Sequence, residues 1–183
     1  PSAAAAEAQS RSADLADMRS TAENRVGELT DFLTAHGYVR VPLRRSIVGH
    51  FHTDGTLNGR PVEVLVDTGA AITVVAMSVV EAVGLQSELL NYEAGGAGGA
   101  LDQYRVEGAV LQVGSLIPRL AGPAGLDFEH VNAPLRANGS AEVDVILGAD
   151  VFDAHAAVID YGTESLFLKA VAYEPTAAPD LSA

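Results

Sequence analysis

The chain has no cysteine, which closes off disulfides and thiolate chemistry without fixing the compartment. Positive charge is scarce: 11 Lys and Arg stand against 24 Asp and Glu, for a formal net charge of −13. Such a chain repels phosphate backbones, and its few cations are scattered rather than gathered in a stripe, so nucleic acid is not expected as a partner. The acidic excess reads as a solubility feature. No run reaches about 18 apolar residues, so no membrane-spanning helix is expected. Apolar material is otherwise plentiful, at 48% of 183 residues, enough for one domain with a real core. The chain starts at Pro1 rather than Met, as a processed or trimmed protein would. A removed signal peptide would make it periplasmic or secreted, and the location is otherwise unread.

Residues 62–66, Val-Glu-Val-Leu-Val, form a run rich in β-branched residues and predict a buried strand. The run stops at Asp67. Thr68, Gly69 and Ala70 follow, and a second run of the same kind begins at Ile72-Thr73-Val74-Val75. A carboxylate at the end of a buried strand loses hydration unless something bonds to it or pairs with it. Gly69, lacking a Cβ, lets the backbone turn tightly and approach closely. Strand, carboxylate, tight turn and strand together mark a site. The plainer reading is a polar residue that closes a strand.

Asp67-Thr68-Gly69-Ala70, with the strand before it and Thr73-Val74-Val75 after it, resembles the catalytic turn of the retroviral-type, retropepsin-like aspartic proteases. Val145-Ile146-Leu147-Gly148 resembles the second element of that family, two hydrophobic residues and a glycine packed beside the turn. The resemblance runs over residues 47–170. It implies a mainly β, single-domain acid-protease fold with one or two short helices and an N-terminal helical extension. Residues 1–36 would then be a tail plus amphipathic helix, 37–173 the protease domain and 174–183 a C-terminal tail. The family resemblance makes Asp67 the catalytic residue, with Thr68, Gly69 and Ala70 supporting its turn and Ile146, Leu147 and Gly148 beside it.

Residues 92–104 lie where these enzymes carry the flap that closes over bound peptide. Gly95, Gly96, Gly98 and Gly99 would make its hairpin tip, with Tyr92 and Tyr104 lining the substrate. A plain glycine loop is the alternative. A hairpin tip is the better reading than a phosphate cradle, because the Lys-Ser/Thr of a P-loop is missing and no helix follows.

Peptide hydrolysis by carboxylates needs two of them sharing one proton. The ionised group takes a proton from water while the protonated one supports the carbonyl oxygen, and their apparent pKa values split because two like charges so close cannot both form. Aspartic proteases are the established example of that split. Only one Asp-Thr-Gly is present, and Asp144, Asp150, Asp153 and Asp160 lack its context. The second carboxylate is therefore expected from another copy of the chain across a two-fold axis. Water is the nucleophile, so no cofactor or metal is called for. The expected function is an aspartic endopeptidase acting as a homodimer on peptide or protein substrates. A non-catalytic dimerising or peptide-binding module of the same fold is the alternative.

Two departures from the viral enzymes stand out. Those carry acidic residues just after the Asp-Thr-Gly-Ala and an Arg just after the second glycine, which pair across the dimer, whereas this chain has Ala71, Ile72 and Ala149. Gly148-Ala149-Asp150-Val151-Phe152 instead resembles the G-x-D-x-hydrophobic form of cellular and bacterial relatives. The Ala- and Gly-rich composition would suit a bacterial source.

Elsewhere, Leu15, Met18, Ala22, Val26, Leu29 and Leu33 recur at helical spacing before Gly37. They predict an amphipathic helix that packs on the domain, dimerises or inhibits. Strands are expected at 38–43, 46–56, 107–114, 115–121, 143–147, 156–161 and 165–170, and Asn58-Gly59 predicts a hairpin turn leading into the Asp67 strand. Residues 77–83 and 150–155 predict short helices. Pro118, Pro123 and Pro134 suggest a loop-rich stretch, with a turn at Asn138-Gly139-Ser140. His50, His52 and Asp54 alternate on one strand face, reading either as metal ligands or, more simply, as a solvent-facing row. His36, His130 and His155 read as surface or satisfied polar residues.

Overall fold

The computed structural model describes residues 27–96 and 99–171, with backbone alone at 91–96 and 99–101. Its regular elements are mostly strands. In chain order, helix α1 covers 27–35. Strands β1 (Tyr38–Pro42), β2 (Arg44–Arg45), β3 (Phe51–Leu57), β4 (Arg60–Val66) and β5 (Val74–Ala76) follow, then α2 (Met77–Ala82). β6 (Gln86–Gly96), β7 (Gly99–Glu107), β8 (Leu111–Val113) and β9 (Ala124–Leu126) precede α3 (Glu129–Ala137). β10 (Val145–Leu147), α4 (Ala149–Ala154), β11 (Val158–Asp160) and β12 (Ser165–Lys169) complete the domain.

The large sheet has the order β2-β3-β4-β10-β5-β9-β7-β6, with β8 paired to β3, and a small sheet has the order β1-β12-β11. The small sheet joins the two ends of the domain: β1 runs antiparallel to β12, and the Ala170 amide donates to Gly37 O at 2.8 Å. The core is almost wholly aliphatic. Val64, Val75, Val113, Val145, Leu147, Leu166 and Leu168 are all fully buried. Each contributes about 1.5–3 kcal/mol of transfer free energy, and their β-branched and γ-branched side chains fill a pleated interior without a polar atom to satisfy.

The Asn58-Gly59 signal is realised as a turn with φ of 48° and 85°, the mirror-image geometry that matches strand twist. It sets β3 against β4 in a register from Phe51↔Val66 to Leu57↔Arg60. Gly84 (φ 69°) ends the turn after α2 as expected.

Several expectations need correction. The segment 46–50 is a tight turn, not strand: the Ser46 amide donates to His50 O and the Gly49 amide to Ser46 O. Residues 115–121 form no strand beyond a single bridge, Val113 to Leu116. The stretch expected to be loop holds β9 and α3, so three short helices accompany the N-terminal one. α3 tolerates Pro134 because that residue lies on the exposed side, while buried Asn132 exchanges two side-chain hydrogen bonds with the backbone of Val143 at 3.0 and 2.8 Å. Of the N-terminal stripe, Leu33 is buried and Leu29 half-buried; Leu15, Met18, Ala22 and Val26 lie outside the described residues.

Candidate active site

β10 pairs parallel with β4 on one side (Val145↔Val64 to Leu147↔Val66) and antiparallel with β5 on the other (Val145↔Val75, Ile146↔Val74). The two strands that flank the Asp67 turn are thus not each other's partners. The segment 67–73 has to pass over the end of β10 to connect them. This explains Gly148 sterically. A Cβ there would stand 2.5 Å from both the carbonyl carbon and oxygen of Ile72 and 2.9 Å from the Thr73 amide nitrogen, and those are backbone atoms with nowhere to go.

The turn is tied down by its own backbone. The Asp67 amide donates to Leu147 O at 3.1 Å, the Ala70 amide to Asp67 O at 3.2 Å, and the Ala149 amide to Ala70 O at 2.8 Å. The Gly69 amide donates to Asp67 Oδ1 at 2.8 Å, which fixes the carboxylate against its own turn. A Cβ at Gly69 would meet that oxygen at 3.2 Å, so glycine here keeps the carboxylate in place. Among the described residues, the other Asp67 oxygen has no hydrogen-bond partner. The side chain is half-buried, and Thr68 and Gly69 are exposed beside it.

Behind the turn lies a polar knot. Thr73, with no exposed surface, donates its hydroxyl to Asp150 Oδ1 at 2.8 Å and accepts from the Gly148 amide at 3.2 Å. Its carbonyl accepts from the Ala124 amide at 3.1 Å. The turn, the start of α4 and β9 are therefore joined through one buried hydroxyl residue. Ile146 is half-buried and Leu147 fully buried in β10 beside the turn.

Residues 86–107 form a long hairpin, with Gly95 facing Ala100 and Gly96 facing Gly99 at its outer end and a register shift between Leu89 and Glu93. Tyr92 belongs to β6, and Gly98 lies outside the described residues. Tyr104 is half-buried and pairs with Gly125 of β9. Gly125 sits in a crowded place: a Cβ would stand 2.5 Å from Met77 Sδ, 3.1 Å from Val106 Cγ2 and 3.3 Å from Tyr104 Cβ. Ile72, Leu90, Tyr104, Ala121 and Pro123 line a cleft of about 200 Å³, so Ile72 at the end of the Asp67 turn and Tyr104 of the hairpin border one space.

The alternating row His50, His52 and Asp54 does not converge. His52 is 9% exposed and its Nδ1 lies 3.0 Å from Glu63 Oε1, while Asp54 pairs with Arg44 at 2.7 Å and His50 is exposed. The expectation of a solvent-facing row fails at His52, because Leu135, Ser140 and Ala141 from α3 and the loop after it border the same cavity and cover that face. The hydrogen bond to Asp54, with Glu63 alongside, raises the pKa of the Arg44 guanidinium. Among the described residues, no three potential ligands gather to hold a metal ion. No helix among them is long and apolar enough to cross a membrane.

Two residues of the site, Thr73 and Asp150, carry links that no local pattern marks. By sequence, Thr73 is only part of a strand. By sequence, Asp150 is the acidic position of the G-x-D element, and its partner is not apparent. His155 is 1% exposed and bonded at both nitrogens, the satisfied polar residue that the sequence suggests. The one available signal was a hydroxyl residue inside an apolar run, since a buried Thr demands a partner.

A family model described as aspartyl protease matches residues 53–151, more than half of the 183 residues. The chain belongs to the aspartyl protease family. The match extends from β3 through the start of α4, taking in both the Asp67 turn and β10. Among curated proteins, an uncharacterized protein in the cobV 5′ region of a Sinorhizobium species is 33% identical over 66 residues, 36% of this chain and 28% of that relative. Among solved structures, this aspartyl protease chain resembles a retropepsin-like aspartic protease from Rickettsia conorii at 14% identity and a TM-score of 0.47, covering 72% of this chain and 89% of that one. It also resembles the retroviral protease-like domain of Ddi1 from Leishmania major at 16% identity and a TM-score of 0.46, covering 66% and 88%.

Proposed function

We propose that the protein is an aspartic endopeptidase that hydrolyses peptide bonds with water activated by two Asp67 carboxylates, one from each copy in a homodimer. The observation that carries this reading is the fixed, half-buried Asp67 carboxylate, held by the Gly69 amide at 2.8 Å in a turn built over β10. Family membership supports it. The other carboxylate near the turn, Asp150, is engaged by Thr73 on the inner side and is not free to act as a partner.

In the mechanism, one Asp67 is ionised and takes a proton from water as the water attacks the scissile carbonyl. The protonated Asp67 of the second copy hydrogen-bonds to the carbonyl oxygen as charge develops there, and a proton then passes to the leaving amine. Thr68, exposed in the single chain, bonds across the two-fold axis, and Gly69 and Ala70 leave room for substrate and partner backbone. The hairpin 92–104 closes over the peptide with Tyr92 and Tyr104 against it. Residues 37–173 form the catalytic unit in this reading, with 1–36 and 174–183 outside it, and a bacterial source fits the composition.

Cleavage of a mixed peptide library between about pH 4 and 7, where shared-proton carboxylates operate, tests the reading on the wild type and Asp67→Ala. The expected result is cleavage by the wild type alone, with specific activity rising with protein concentration. No cleavage by a demonstrably dimeric wild type would favour a non-catalytic binding module.

A further inference from the structure

Ala121 and Gly122 line the cleft and end the wall segment 117–122, whose own backbone gives it no support. Among the described residues, it makes no backbone–backbone hydrogen bond. Flanking bonds hold only its ends: Val113 with Leu116 before it, and Pro123 O and the Ala124 amide after it. Two side chains hold the middle. The Arg119 amide donates to Nε2 of His155 at 2.8 Å, and the Ala121 amide reaches Oδ2 of Asp150 at 3.4 Å. Asp150 lies in the first turn of α4 and His155 caps its end.

Both acceptors are committed by other bonds. His155 Nδ1 lies 2.8 Å from Lys169 O, a carbonyl that can only accept, so Nδ1 carries the proton and Nε2 the lone pair that Arg119 uses. Asp150 gives its other oxygen to Thr73, whose residue already ties the catalytic turn to β9. The cleft wall and the Asp67 turn are therefore hung from the same short helix.

We propose that Asp150 and His155 are positioning residues for substrate binding: they hold the segment 117–122 so that its end, Ala121 and Gly122, shapes with Tyr104 a cleft that takes a peptide side chain. The proposal rests on the protease reading above. Neither residue touches the reacting atoms in it. They act through the wall, so their loss weakens binding of peptide more than it slows chemistry.

Asp150→Asn keeps one oxygen for Thr73 but replaces the other with an amide that cannot accept from Ala121. His155→Leu removes the acceptor for Arg119 at similar volume, and His155→Gln offers a donor and an acceptor again. Loss of one such bond predicts KM raised about fivefold to tenfold in Asp150→Asn and His155→Leu, with kcat within about twofold of wild type. His155→Gln should recover most of the affinity lost in His155→Leu. Amide hydrogen exchange supplies a readout independent of activity: Arg119 in His155→Leu and Ala121 in Asp150→Asn should exchange at least about tenfold faster, with the amides of β4 and β10 unchanged. Unchanged exchange at both amides, or a fall in kcat at constant KM, would overturn the proposal. Should His155→Leu fail to fold, Asp150→Asn decides alone. If the wild type cleaves nothing, the protease reading fails while the exchange measurement still judges the wall.

Discussion

The Asp67 turn and the hairpin 86–107 differ in how they are held. The turn is fixed from several sides: β10 pairs with both strands that flank it, three backbone hydrogen bonds stitch it to itself, to β10 and to α4, and Thr73 anchors it from behind. The hairpin is held at its base, where Tyr104 and Arg105 of β7 pair with β9, and β6 is the sheet's edge. Among the described residues, its outer, glycine-containing end pairs across the hairpin alone. One region fixes a carboxylate and tolerates almost no change of shape. The other is tied to the sheet at its base, an arrangement that suits the cover over a cleft that the proposed function assigns to it.

The largest effect separating the two regions should come from Gly148→Ala. The added Cβ meets immovable Ile72 backbone at 2.5 Å, so a stability loss of about 3 kcal/mol or more is expected by denaturant unfolding. A near-neutral result would show that the turn is not as tightly built over β10 as described. Thr73→Val comes next. It strips a buried hydroxyl from both Asp150 and the Gly148 amide, for a loss of about 1–3 kcal/mol in the same assay, together with reduced turnover. In the hairpin, Gly96→Ala should stay within about 0.5 kcal/mol of wild-type stability while kcat/KM changes. A stability loss above about 1 kcal/mol would place the hairpin in the cooperative core and erase the contrast.

A third turn gives the smallest effect. The Thr163 hydroxyl bonded to Asp160 at 2.7 Å, with the Gly162 and Thr163 amides, lowers the Asp160 carboxyl below its ordinary 3.8. A lowered folded-state pKa means stability that is present above the ordinary value and is lost as pH falls through the folded one. Thr163→Val should therefore raise the Asp160 titration midpoint seen by NMR. It should also destabilise slightly at neutral pH, a difference that disappears in strong acid.

The Asp67 turn and β10 were legible in the sequence because they rest on short-range chemistry: a strand that ends in a carboxylate, and a glycine where backbone crowds backbone. The Asn58-Gly59 hairpin was legible for the same reason. α3 was not, because Pro134 reads as a breaker when its neighbours are unknown; the signals that mark the helix, Asp127 bonding the Glu129 amide at 2.8 Å and Gly139 (φ 68°) after its end, are as local but were outweighed. The burial of His52 and the two-sided bonding of His155 depend on elements distant in sequence, α3 with its following loop and β12, that cover them. No local pattern encodes such cover. The links from Asp150 to Thr73 and Ala121 are of this kind, and with them the support of the cleft wall.

The central claim, two Asp67 carboxylates in one site, is tested most directly by mixing. Inactive Asp67→Asn protein is titrated into a fixed amount of wild type, and peptide cleavage is followed after the copies have exchanged. If each site takes one Asp67 from each copy, mixed dimers are dead and activity falls steeply with added variant, toward the fraction of wild-type pairs left by random pairing. Activity that stays constant as the variant is added would mean that a single chain carries the whole site, and would contradict the account.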